Sequence, residues 1–447
     1  MMDAMADSAL SFGKHPQFEA AARATHSRPA LPVKAPAEIN HAVILAGETD
    51  HAADRKRFVD AVEHIGWEVI QENTGEVLAV KDRSTMKWER HTEFISLTAV
   101  AGQKLGNTET SQAFESTLQE LAKDHKPDGD KDVGVLSRTR VLVGIPSDGL
   151  AINRGDRPVQ RVLVVGDNIQ VETTLLHDST DMVEYRATLI NEDTNPMSPR
   201  RVGRFVQRLI EIESYRLIAY LAVPMMQRIG PRVSALEAKV NEIAERAAAD
   251  PRPHEEAAIL TELTNLSAEL QSIGSASEFR FAASLAYAAI VDERLESLRE
   301  NRIEGAQRLS TAIKRRLDPA MRSCNALLRR QQKIAERIGY VTELLRTRVD
   351  LALQDQNAAV LQSIDQRARA QLRLQQAVEG LSVAAITYYT LGIIYYLVKG
   401  APLEAWGLSK DVVQALFVVP VALLVFYGLR RVRARNEAAD GDAEEKE

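Results

Sequence analysis

Two uncharged runs near the C-terminus constrain this chain more than anything else in it. Residues 381–398 read LSVAAITYYTLGIIYYLV and residues 412–429 read VVQALFVVPVALLVFYGL. As helices rising about 1.5 Å per residue, each spans roughly 27 Å, close to the thickness of a bilayer's hydrocarbon core. The connection, residues 399–411, carries Gly400, Pro402 and Gly407 and is too short for a domain. Tyr395, Tyr396, Trp406 and Tyr427 fall near the proposed boundaries, where amphipathic rings are favoured, and Pro420 predicts a kink in the second span. Arg367, Arg369 and Arg373 precede the first run, and Arg430, Arg431, Arg433 and Arg435 follow the second. Positive flanks favour the cytoplasmic side, so the pattern predicts a hairpin with both chain ends inside. The competing reading is a pair of buried helices in a soluble core, which basic outer flanks disfavour.

The 447 residues carry a net charge of −6, which argues against bulk nucleic-acid binding. The single cysteine, Cys324, excludes an intrachain disulfide and fits a reducing compartment. The N-terminus has neither the basic nor the apolar segment of a secretory signal.

An α+β organisation follows from the rest. Residues 1–39 form a disordered and Pro-rich entry segment (RPALPVKAPA), and residues 40–198 mix strands with a few helices in an α/β cytoplasmic domain. Strands are predicted at 41–47, 67–70, 76–81, 87–98, 133–145, 161–166 and, more weakly patterned, 181–190, with helices at 50–64 and 111–122. Residues 199–380 are dominated by helix formers and predict a long antiparallel stalk. Its pieces are 199–224, 231–249, 253–317 with a bend near Gly274, and a last helix opened by the Asp318–Pro319 cap. That helix carries an apolar stripe of Ile334, Ile338, Val341, Leu345, Val349, Leu353, Val360 and Ile364, to be covered by the preceding helix, by a second copy, or by both. Residues 430–447 form a charged cytoplasmic tail, disordered from Glu437.

Signals for chemistry are sparse. In Trp88–Phe94 (WERHTEF), strand alternation would put Glu89, His91 and Glu93 on one face, a possible site for a divalent cation. The same residues could equally pair with arginines across the sheet. Asp128, Asp130 and Asp132 imitate a calcium loop, but Val133 and Thr139 stand where Gly and Glu are needed, so a solvated acidic turn is expected. Gly166-Asp167-Asn168 predicts a turn. No phosphate-binding loop, dinucleotide fingerprint or nucleophile elbow occurs, so an enzyme is not the expected reading. In the first span, Ser382, Thr387 and Thr390 either pack against a neighbouring helix or line a pore.

Five stretches carry a resemblance: HPQFEAAARATHSRP from His15, LAGETDHAADR from Leu45, WERHTEF, GRFVQRLIEIESYR from Gly203, and RLQQAVEGLSVAAITYY from Arg373. Together they resemble an uncharacterised family of bacterial membrane-anchored proteins, the domain of unknown function 3422. Ser27 stands where that family usually has Ala in a His-Ala-Arg-Pro motif. The resemblance implies the bacterial inner membrane and no particular activity. More distantly, the domain order and the segment LLRTRVDLALQDQNAAVLQSID are similar to the CorA magnesium channels. Their Gly-Met-Asn signature is replaced here by Tyr395-Tyr396-Leu397-Val398-Lys399-Gly400, so no pore residue is carried over. The likeness implies homo-oligomerisation through stalk and first span, with divalent-cation transport as the sharpest function. The competing reading is a non-conducting anchor whose cytoplasmic domain binds a protein partner.

Overall fold

The computed structural model describes residues 29–46, 51–102, 105–123, 125, 133–150, 152, 159–178, 180–190, 196–249, 253–400 and 410–444. The acidic turn at Asp128, Asp130 and Asp132 and the first 28 residues of the entry segment lie outside them. The chain divides into two compact units, residues 1–341 and 342–447.

The first unit is organised by β1 (Ala37–Leu45), which is buried at all nine positions and sits in the interior of a ten-stranded sheet. The other strands are β2 (Glu68–Glu72), β3 (Glu76–Lys81), β4 (Ser84–Arg90), β5 (Phe94–Gly102), β6 (Gly134–Gly144), β7 (Gln160–Val164), β8 (Ile169–His177), β9 (Val183–Leu189) and β10 (Asn301–Arg302). Their order is β10-β7-β8-β9-β6-β1-β5-β4-β3-β2, antiparallel throughout except for β6 against β9. Alternation along each strand separates two cores. Ala42 and Ile44 of β1, Met86 and Trp88 of β4, and Ile95, Leu97 and Ala99 of β5 meet α1 (His51–His64) and α2 (Thr108–Ala122) through Phe58, Val62, Phe114 and Leu121. The opposite face carries Ile39, Val100, Val141, Val143 and Val171 against α3 (Pro199–Tyr220), α5 (Pro253–Ser297) and the start of α6 (Leu309–Gly400). The remaining helices are α4 (Ala222–Ala248) and α7 (Lys410–Glu444). Of the helices after residue 198, α3, α5 and the start of α6 therefore share a core with the sheet. Under α3, the Tyr185 hydroxyl donates to Glu213 at 2.9 Å, and Arg216 pairs with the same buried carboxylate.

Three expectations are corrected. The strand predicted at 87–98 is a hairpin, β4 and β5, with its reversal at His91–Glu93. No Gly, Pro or Asn marks that turn. It is closed by the His91 amide donating to the Phe94 carbonyl at 2.8 Å and by stacking of the two rings. The helix predicted to run to residue 317 stops at Ser297, where Arg299 takes a left-handed backbone (φ 51°) and β10 joins the sheet edge. The next helix begins at Leu309, so Pro319 lies inside α6 and caps nothing. α5 runs as one helix through Gly274, and β8 and β10 were not anticipated. The turn at Gly166-Asp167-Asn168 is present between β7 and β8.

In the second unit, α6 continues from Thr342 to Gly400 and contains a stretch long and apolar enough to cross a membrane. A shorter apolar run, Ala415–Gly428, lies in α7, whose backbone stays helical to Glu444, past the point where disorder was expected.

The entry segment presses on α3 at one point. A Cβ on Gly203 would overlap the Leu31 carbonyl far inside van der Waals contact. Both partners are backbone, so neither can swing away. Gly203→Ala should therefore destabilise the unit by about 2–4 kcal/mol, read as a lowered urea midpoint of the detergent-solubilised chain. An unchanged midpoint would show that residues 29–35 do not pack on α3.

Candidate functional site

The sheet face beneath α3 is polar where a core would be apolar. From β1 comes His41, from β4 Lys87 and Glu89, from β5 Ser96 and Thr98, and from the hairpin turn His91. Above them, α3 supplies Gln207, Glu211, Ser214 and Tyr215. Together with Leu31, Val33, Phe94, Val206 and Ile210, these side chains enclose a cleft of about 420 Å³.

Its polar floor is internally matched, as buried polar groups require. The His41 ring bridges three elements, with Nδ1 2.9 Å from Thr98 Oγ1 and Nε2 3.2 Å from Ser214 Oγ. His41 and Thr98 face each other across the β1–β5 ladder, so register places the first contact. Burial holds this imidazole neutral by driving its pKa down to about 3. Lys87, only 3% exposed, sits between Glu89 at 2.9 Å and Glu76 at 3.6 Å. Glu76 and Glu89 are direct cross-strand neighbours, an arrangement of like charges that the ammonium between them relieves. Lys87 also donates to the Pro29 carbonyl at 3.2 Å, tying the entry segment over the cleft.

The residues singled out for a metal are distributed differently from the strand reading. Glu89 and His91 both line the cleft, but Glu89 pairs with Lys87, and His91 Nε2 lies 3.3 Å from Ser96 Oγ. Glu93 turns away to Arg280 of α5 at 2.8 Å. Glu93 also accepts a hydrogen bond from Tyr287, whose phenol is pushed up first by burial and then by this carboxylate. No group of three His, Cys, Asp or Glu side chains placed to hold a metal occurs among the described residues. The physical reason is the reversal at residue 91, which ends the alternation on which the shared face depended. Glu93 does pair with an arginine, but one on α5 and not across the sheet.

The hydroxyls of the first apolar run are partly self-satisfied. Ser382 donates to the Val378 carbonyl and Thr390 to the Ile386 carbonyl, each at 2.8 Å, while the Thr387 hydroxyl has no partner among the described residues.

His41, Lys87, Ser96, Thr98 and Ser214 were not anticipated. A signal for them exists in β5, where Ser96 and Thr98 alternate with Ile95, Leu97 and Ala99 on a strand buried at both faces.

The neutral histidine has a pH consequence. In the unfolded chain its pKa lies near 6.5, in the folded chain near 3. The unfolded state therefore binds the extra proton between those values, and stability present above pH 6.5 is lost as pH falls toward 3. Between pH 6.5 and 4.5 the wild type should lose roughly 2 kcal/mol more than His41→Gln, measured by urea unfolding followed through tryptophan fluorescence. Parallel pH profiles for the two proteins would refute a neutral, bridging His41.

No curated protein matches the chain. A family model does, over residues 13–436, which include every element of the cleft and both apolar runs. The chain belongs to the family described as protein of unknown function DUF3422.

Proposed function

We propose that this chain is a membrane-anchored recognition protein: its first unit holds a small polar ligand in the cleft under α3, and its second unit fixes it in the bacterial inner membrane as a homo-oligomer. The observation that carries this reading is the polar floor beneath α3. The hydroxyls of Ser96, Thr98 and Ser214 each make one hydrogen bond to a histidine and keep further hydrogen-bonding capacity for a ligand in the cavity.

The anchor reading is supported by the apolar window in α6, none of which is buried, and by the second apolar run in α7. Spans at 381–398 and 412–429, with both ends cytoplasmic, accord with the flanking arginines. Self-association is supported by the exposed side chains of Leu351, Leu353, Val360, Leu361 and Ile364, which continue a stripe whose earlier members, Ile334, Ile338, Val341 and Leu345, are buried. The anchor is preferred to a CorA-like cation channel because Ser382 and Thr390 turn their hydroxyls onto their own helix, as hydroxyls in an apolar helix commonly do. The Ser214–His41 contact involves an imidazole too weakly basic to take a proton near neutrality.

The test is purification of the full-length chain from carbonate-washed membranes, with native mass spectrometry of the detergent complex. The wild type should remain in the membrane, run as an oligomer and release a small molecule on denaturation. Gln207→Trp, which fills the cleft from α3, should lose the molecule and keep the oligomer. Val360→Asp with Ile364→Asp should give monomers that keep it. A wild type that washes off with carbonate, or that carries no small molecule, overturns the reading. Proteoliposomes should show no cation flux above that of empty vesicles, and a flux abolished by Thr387→Leu with Thr390→Leu would restore the channel.

A further inference from the structure

Beside the cleft, α3 carries a second group of side chains that the hydrogen bonds above leave unused. Arg204 and Arg208 are one turn apart and flank Gln207, a cleft residue. Gln207 donates to Glu211 at 2.9 Å, and Glu211, which also lines the cleft, pairs with Arg294 near the end of α5. Arg299 follows on the turn that ends α5, held there by its left-handed backbone. Arg294 has Glu211 and Glu293 as partners, whereas Arg204, Arg208 and Arg299 make no ion pair among the described residues. Arg208 is pressed below the ordinary arginine range, first by burial and then by the positive charges of Arg204, Arg294 and Arg299, against which Glu211 is the opposing charge. Arg204 and Arg299 are exposed and Arg208 and Arg294 half-buried, and these four guanidiniums share this edge with only the two carboxylates of Glu211 and Glu293, an excess of positive charge that attracts an anion.

We propose that Arg204, Arg208, Arg294 and Arg299 form a subsite for a phosphate group, and that the ligand of the cleft is a phosphate ester whose uncharged polar body lies on the His41–Lys87 floor. This rests on the reading of the cleft as a ligand site and names the ligand's chemical class. Phosphate is favoured over a carboxylate by number and by shape. One carboxylate would leave most of the excess positive charge unmatched, whereas a phosphate dianion offers three oxygens to guanidinium forks. The floor has no cation to spare for the ligand, since Lys87 already faces Glu76, Glu89 and the Pro29 carbonyl. The anionic end must therefore lie on the arginines.

Calorimetric titration of the full-length protein in nonionic detergent with inorganic pyrophosphate tests this. The wild type should bind, and Arg204→Glu with Arg208→Glu should weaken binding by about tenfold to a hundredfold, the worth of losing one or two charged hydrogen bonds. Arg204→Lys with Arg208→Lys should fall between the two, because charge is kept and the fork is lost. The control is Arg329→Glu with Lys333→Glu, an equal charge change at exposed positions one turn apart on α6, and it should change affinity less than twofold. No wild-type binding, or equal weakening in the control, overturns the subsite. Gln207→Trp separates the two ideas. If it expels the co-purified molecule and keeps pyrophosphate, cleft and subsite both stand. If the wild type binds pyrophosphate but never carries a molecule in the cleft, the subsite stands and the cleft reading falls. In nanodiscs with phosphatidic acid replacing neutral lipid, weaker pyrophosphate binding identifies a lipid headgroup as the source of the phosphate, and unchanged binding identifies a soluble ester.

Discussion

One neutral histidine holds together the sheet face that lines the cleft and the helix that covers it. His41 links an interior strand, its neighbour β5 and the covering helix α3 through Thr98 and Ser214. A buried imidazole with two satisfied nitrogens costs little, and one with an orphaned nitrogen costs on the order of 1–3 kcal/mol. The pair of hydroxyls therefore fixes the distance at which α3 can ride over the sheet. At that distance, the apolar side chains of Val206 and Ile210 reach Ile39 and Val100 at the edges of the polar patch and enclose the space between. The cleft is a consequence of polar residues placed on the inward side of strands that are otherwise core.

Lys87 plays the complementary part at the other end. Its position under the entry segment, with Glu76 and Glu89 on either side, surrounds the side-chain nitrogen with oxygens: Glu89 and the Pro29 carbonyl within hydrogen-bond distance and Glu76 slightly farther off. That explains how a lysine can be almost wholly buried. It also explains why residues 29–35 lie over the cleft: the Pro29 carbonyl accepts from Lys87, and the missing side chain at Gly203 lets Leu31 approach α3. Two backbone features of the entry segment thus close a site whose chemistry belongs to the sheet.

Much of this architecture is legible in the sequence where periodicity governs it. The strand at 76–81, the helices beginning near 50 and 199, and the turn at Gly166 follow from alternation, capping and glycine chemistry. The hairpin inside 87–98 is not legible, because its reversal rests on a ring stack between His91 and Phe94 and on an ion pair with Arg280, almost two hundred residues away. The start of α6 is misread for a related reason. Asp318–Pro319 is an ideal local cap, but Glu300 already occupies the true N-terminus, accepting from the Ser310 amide at 2.9 Å and its hydroxyl at 2.8 Å. Local propensity loses to a carboxylate that only the tertiary fold delivers. The membrane pattern is the opposite case, since length and apolarity alone define it and no packing is required to see it.

The segment WERHTEF shows why a specific motif need not be a metal site. Five of its side chains go to four destinations: Trp88 fills the core under α1 and α2, Glu89 balances Lys87, His91 and Phe94 form the turn, and Glu93 reaches α5. Replacing any one of them would disturb a different contact, so the whole string is constrained without a shared ligand. Phe94 also meets Tyr215 of α3 and Tyr287 of α5, which stack with ring centres 5.4 Å apart. The hairpin therefore joins the cleft to the packing of α3 on α5. The same two helices carry the arginines, Arg204 and Arg208 on one, Arg294 near the end of the other. Cleft and cationic cluster are thus set by a single helix pair, whose spacing is fixed by the Tyr215–Tyr287 stack and, one turn along α3, by Glu211 and Arg294. A ligand that engaged both would bridge two elements already clamped twice, so it would find its two contact regions at a preset separation and lose little free energy to ordering them.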